Sequence, residues 1–254
     1  MQIARRNVVL GMAGLPLAAV LADPRLAWAA AQSLENVSLT TDGGLNVAAA
    51  LAVPAQTPAP AILLVHEWWG LNDQIKTMAA DLAKQGYLAL AVDLYNGHVT
   101  DKPDEARKLV GGVDGAAATD TVGSWLRWLK GHQLASGKSA TIGWCFGGGW
   151  SLNAALAEPV DATIVYYGSV KKSAGDLQAL NGPVLGHFAE RDHWINHAMV
   201  SGFEAEMAKA GRAYTSHWYE ADHAFANPTS ARYDEGDAAL AWQRSLDFLR
   251  QHLS

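Results

Sequence analysis

Four short apolar runs, at residues 61–65, 87–92, 162–167 and 184–188, are separated by stretches of helical spacing. A run of four to eight apolar residues bounded by turn signals marks a strand covered on both faces. Between such runs, residues 75–85 repeat apolar side chains at helical intervals and stop at Gly86. Residues 119–130 place Val122, Trp125, Leu126 and Leu129 on one helical face. Further helices are expected at residues 149–157, 198–210 and 237–252, and further strands at 139–144 and 214–219. At the start of the series, residues 37–40 and 45–53 flank Asp42-Gly43-Gly44, a hairpin signal. Alternation of this kind predicts a single α/β domain, a doubly wound, mainly parallel sheet with an N-terminal hairpin at its edge. Ligands of such sheets sit at the carboxyl ends of the strands, so chemistry is expected there.

Residues 1–31 read differently from the rest. Arg5-Arg6 precede a mostly apolar stretch from Asn7 to Ala22, followed by small-residue spacing at Ala27-Trp28-Ala29 and Ala29-Ala30-Ala31. This is the pattern of an export signal, and the paired arginines resemble a twin-arginine signal. The apolar stretch falls short of the roughly 20 residues that span a bilayer. The expected organisation is therefore a signal over 1–31 and a folded domain over 32–254. The domain is placed in the periplasm or outside the cell and free of the membrane once the signal is removed.

Composition excludes several classes. The chain has 254 residues, half of them hydrophobic, which is enough for a sizeable core and rules out global disorder. Its 19 Lys+Arg against 25 Asp+Glu give a net charge of −6, so no basic footprint for nucleic acid exists. With a single cysteine there is no internal disulfide and no cysteine-rich metal site. No metal or organic cofactor is implied. Gly147-Gly148-Gly149 does not meet the dinucleotide-binding pattern.

That one cysteine sits in Gly143-Trp144-Cys145-Phe146-Gly147, after an expected strand and before a helix of small residues. This is the nucleophile-elbow pattern with cysteine in place of serine. So tight a strand-to-helix turn needs glycine two residues either side, and it exposes the thiol to the unpaired N–H groups of a helix N-terminus. A thiolate nucleophile needs a base, and the base needs an orienting acid. His223 follows the strand ending at Tyr219, and Asp192 follows the strand ending at Phe188, so both fall at carboxyl ends. Glu190 and Asp222 are other candidates for the acid, and His187 and His193 lie near the same end. His66-Glu67-Trp68-Trp69-Gly70 follows the strand at 61–65, where this kind of elbow draws one of its oxyanion donors. The backbone N–H groups of Trp68 and Phe146 are the expected pair. Trp69, Tyr95 and Phe225 are expected to supply apolar substrate contacts.

Taken together, His66–Gly70, Asp93-Leu94-Tyr95, the Gly143–Gly147 elbow, Asp192 and His223-Ala224-Phe225 resemble the dienelactone hydrolase family, over about residues 35–250. The resemblance implies an α/β-hydrolase fold and a Cys–His–Asp triad that opens an ester or lactone through an acyl-enzyme. It places those roles on Cys145, His223 and Asp192. It also implies that Glu67 interacts with the cysteine at rest and shifts when substrate binds. Two positions depart from the family. Arginines that hold the substrate carboxylate are replaced by Gly97 and Asn227, with His98 and Lys102 as nearby alternatives. The expected substrate is thus a small, neutral, partly apolar ester or lactone. Thioester hydrolysis or acyl transfer would use the same triad, and a non-catalytic binding protein would keep the fold without turnover.

Overall fold

A computed structural model describes residues 15–254; Arg5-Arg6 and the first part of the apolar run lie outside the described residues. The sheet has eight strands: β1 (Glu35–Thr40), β2 (Asn46–Ala52), β3 (Ala59–Val65), β4 (Leu88–Val92), β5 (Ala135–Trp144), β6 (Ala162–Tyr166), β7 (Val184–Ala189) and β8 (Tyr214–Tyr219). Their order is β1-β2-β4-β3-β5-β6-β7-β8. The β1–β2 and β2–β4 pairs are antiparallel, and every pair from β4 onward is parallel. The hairpin therefore closes one edge, as its Asp42-Gly43-Gly44 turn predicts.

The continuous apolar runs have a direct explanation. Along β3, Ile62 and Leu64 enter one core while Ala61, Leu63 and Val65 enter the other. Alternate side chains point to opposite faces, so a strand covered on both sides must be apolar at every position. The first core is covered by α3 (Asp73–Lys84) and α9 (Glu235–Leu253), which contribute Ile75, Met78 and Leu82, and Ala241, Leu246 and Leu249. The second is covered by α5 (Gly115–Lys130), α6 (Phe146–Ala157) and α8 (His197–Lys209), through Val122, Trp125, Leu152, Val200 and Phe203 among others.

Helix ends depart from the sequence pattern where caps act. Asp114 accepts the Ala117 N–H at 2.8 Å, so α5 starts at Gly115, four residues before the expected start at 119. The elbow starts α6 at Phe146, three residues before the expected boundary. A further helix, α4 (Pro103–Gly111), buries only Ala106. A four-residue turn, α7 (Ala174–Leu177), is fixed by a capping box between Ser173 and Asp176.

Within the segment expected to be a signal, α1 (Leu17–Ala22) and α2 (Pro24–Ala31) lie on α3. Val20, Leu21, Ala27, Ala30 and Ala31 are buried there, and the Thr77 hydroxyl donates to the Ala27 carbonyl at 3.0 Å.

Candidate active site

Two glycines permit the elbow. A side chain on Gly143 would collide with the Gly147 carbonyl, and one on Gly147 would meet the carbonyls of Val65 and His66. The last strand residue, the turn and α6 can therefore pack against β3 only with hydrogen at both places. Between them Cys145 adopts φ +53° and ψ −117°, a conformation that costs a non-glycine residue of the order of 1–3 kcal/mol. The surrounding turn supports it: the Cys145 N–H donates to Tyr166 at 3.0 Å, and the Gly148 N–H donates back to Cys145 at 3.0 Å. The half-buried thiol is thereby held at the N-terminus of α6.

Three carboxyl ends converge on it. His223 Nε2 lies 3.2 Å from Cys145 Sγ, and His223 Nδ1 lies 2.6 Å from Asp192 Oδ2. The other oxygen of Asp192 accepts the Trp194 and Ile195 N–H groups at 2.8 and 3.0 Å, so the carboxylate cannot rotate away. Burial opposes charge on Asp192, but the His223 hydrogen bond and these two N–H groups outweigh it and hold its carboxyl below the usual range. Burial likewise opposes charge on His223. The hydrogen bonds to Asp192 and Cys145 prevail, and its imidazolium is pushed up to about 10. The proton between thiol and imidazole belongs to the pair. Of the other candidate acids, Glu190 bonds His197 and Asp222 bonds Arg191, both on the surface. His187 is buried among Tyr219 and Ser245.

The loop after β3 is built on His66. Its Nε2 accepts the Leu94 N–H at 3.1 Å, which leaves Nδ1 as the donor to the Glu67 carbonyl at 2.5 Å. Burial pushes the ring toward its neutral form, the form that can both accept and donate. Neighbouring Asp93 accepts the N–H groups of Tyr95 and Gly97, which folds back the loop after β4. Among the described residues, neither the Trp68 nor the Phe146 N–H is used in a backbone or side-chain hydrogen bond, and both residues line the cavity above Cys145.

Glu67 is buried. Its carboxylate accepts the Asn227 amide at 2.6 Å and the Tyr167 hydroxyl at 3.2 Å. Burial raises its carboxyl above the ordinary value despite these donors and the nearby charges of His223 and Arg232. No Glu67–Cys145 hydrogen bond occurs among the described residues, in contrast to the resting contact that the sequence resemblance implies.

The cavity encloses about 890 Å³ and opens onto Cys145, His223, Glu67, Trp68, Trp69 and Phe146. Tyr95 and Phe225, expected as substrate contacts, are not in its wall. Tyr95 packs on His66 and Phe146, and Phe225 is fully buried against Tyr167 and Tyr219. The wall also holds residues that no sequence motif marks, Tyr167, Trp194 and Arg232 among them. Tyr167 follows β6 at a carboxyl end, which was the available signal. Trp194 is 61% exposed with its ring edge-on to His223 at 5.3 Å, and the Arg232 guanidinium lies 5.9 Å from the Trp194 ring centre. Arg232 supplies a cation in the cavity wall, whereas His98, Lys102 and Gly97 do not line it.

The description "Dienelactone hydrolase family" attaches to a family model that matches residues 47–253. A carboxymethylenebutenolidase of Pseudomonas putida is 31% identical over 230 residues, covering 85% of this chain and 95% of that one. A carboxymethylenebutenolidase 1 of Cupriavidus pinatubonensis is 24% identical over 225 residues, covering 85% and 96%. The same fold occurs in a dienelactone hydrolase-like promiscuous phosphotriesterase from metagenomic libraries, with a TM-score of 0.79, 22% identity, and coverage of 87% and 99%. With its fold, its elbow and its match over residues 47–253 in agreement, the chain belongs to the dienelactone hydrolase family.

Proposed function

We propose that Cys145 is the nucleophile of a hydrolase acting on small ester or lactone substrates. The observation that carries this reading is the line Asp192–His223–Cys145, with 2.6 and 3.2 Å between successive side chains at the floor of an 890 Å³ cavity. The Sγ lone pair attacks the substrate carbonyl carbon, and the carbonyl oxygen takes the negative charge. The free N–H groups of Trp68 and Phe146 receive it. Collapse of the adduct breaks the acyl–oxygen bond, and His223 Nε2 gives its proton to the leaving oxygen. In a lactone that oxygen stays tethered to the acyl group. Water then attacks the thioester as His223 removes its proton, and the products are the free acid and the restored thiolate. Asp192 keeps the imidazole in the orientation and protonation that both steps need. Hydrolysis of phenyl acetate by wild type and by Cys145→Ala tests this, and turnover retained in the variant would overturn it.

We also propose that the protein is exported and works in the periplasm or outside the cell. The support is Arg5-Arg6, the apolar run and the small residues at 27–31. Cleavage after Ala29 or Ala31 would separate α1 and most or all of α2 from α3, so the N-terminus of the recovered protein also reports whether those helices stay with the domain.

A further inference from the structure

Glu67 is held by groups from two distant parts of the chain, and both are constrained. Asn227 directs its amide nitrogen at Glu67 because its oxygen is already engaged by the Thr229 N–H at 2.9 Å and the Thr229 hydroxyl at 2.7 Å. A backbone N–H can only donate, so it fixes which end of the amide is oxygen. Asn227 is 1% exposed and has no freedom to turn. Tyr167 is fully buried and sits at φ +35°, where a bulky residue is strained. Its N–H donates to the His187 carbonyl at 2.8 Å, and its ring packs 5.1 Å from His223 and 5.5 Å from Phe225. The strained backbone is thus kept where it delivers the hydroxyl to Glu67, beside the triad histidine.

We infer that Tyr167 and Asn227 are positioning residues that hold the Glu67 carboxylate away from Cys145, so that the thiol is paired with His223 before any substrate arrives. The inference rests on the reading of Cys145 as the nucleophile. Both donors are neutral, so neither has a charge to trade with an incoming substrate carboxylate, and nothing in the cradle is released when such a group enters. Released from it, the Glu67 carboxylate would compete with Cys145 for His223, and its negative charge would oppose the thiolate. The other titratable and charged groups about the cradle are Tyr166, with its ring 6.0 Å from that of Tyr167, Cys145 itself, Asp192 behind His223, and Arg232 in the cavity wall.

The test is the rate of Cys145 alkylation by iodoacetamide in the free enzyme, measured against pH for wild type, Tyr167→Phe and Asn227→Ala. Wild type is expected to react at pH 6 about 10-fold or more faster than free cysteine, whose thiol titrates near 8.5. Each variant is expected to shift the profile to higher pH by about half a unit or more. Adding Glu67→Gln to either variant is expected to return the profile toward wild type, because no carboxylate remains to be released. A general loss of packing would not be rescued in that way. Tyr167→Phe removes a single oxygen and decides the matter should Asn227→Ala not fold. Profiles that coincide with wild type, a shift that Glu67→Gln fails to restore, or a wild-type thiol no faster than free cysteine at pH 6 would each overturn the inference. The assay reads the thiol without turnover, so its outcome is separate from that of the hydrolysis test.

Discussion

The imidazole of His66 accepts the Leu94 N–H at 3.1 Å and so ties the end of β3 to the end of β4, its parallel neighbour. The same ring donates to the carbonyl of Glu67, one residue before Trp68. Two loops that bound the site are thereby fixed to each other through one buried neutral side chain.

His66→Ala is expected to lower stability by about 2–4 kcal/mol, since it leaves a cavity and two buried backbone groups unpaired. It should lower kcat more than it raises KM, because Trp68 loses its fixed position. Urea unfolding and steady-state kinetics check both, and a variant as stable as wild type would show that the tie is dispensable.

Burial pushes both His66 and His187 below the ordinary histidine range. The unfolded chain therefore takes up protons that the folded rings refuse, and stability is lost as pH falls below about 6.5. His223 has the opposite sign. Its raised value near 10 contributes stability below about 6.5 that disappears as pH rises toward 10. Thermal unfolding from pH 5 to 9 should show a maximum near neutrality, with the acid limb flattened in His66→Gln.

Cys145→Ala should remove hydrolysis of activated esters by at least about 1000-fold, and Asp192→Asn should lower kcat by about 100- to 10,000-fold with little change in KM. Cys145→Ser should retain less activity than the thiol because a hydroxyl depends more on His223. An Asp192→Asn enzyme within a few-fold of wild type would remove Asp192 from its assigned role.

Arg232 adds a cation to the cavity wall, which tempers the expected preference for neutral substrates without reversing it. The side chain is exposed, and an exposed ion pair contributes about 0–1 kcal/mol, or up to about 5-fold in rate. A lactone acid should therefore be preferred over its methyl ester by no more than about 5-fold, and Arg232→Gln should abolish that preference. A 100-fold preference in kcat/KM would mean that the guanidinium is desolvated by the substrate.

Mass spectrometry of the protein recovered from its native host should find an N-terminus near Ala30 or Gln32. An intact Met1 in a cytoplasmic fraction would exclude export and leave α1 and α2 as lasting parts of the domain.

The layered fold and the elbow were legible along the chain, because both are written in local spacing. A strand buried on two faces must be apolar at successive positions, as at Ala61–Val65, and a turn as tight as that around Cys145 admits only glycine at 143 and 147. The convergence of Cys145, Asp192 and His223 was legible because each lies within four residues of a strand's carboxyl end, and parallel strands bring those ends together. The surroundings of Glu67, by contrast, were set by long-range folding alone. Tyr167 and Asn227 lie 100 and 160 residues from Glu67, and no spacing relates such partners. Long-range folding likewise put Arg232 and Trp194 in the cavity wall and left Tyr95 and Phe225 behind it. Those placements depend on how the loops beyond the strand ends pack on one another. That packing is a long-range balance of burial and hydrogen bonding, and it leaves no periodic trace along the chain.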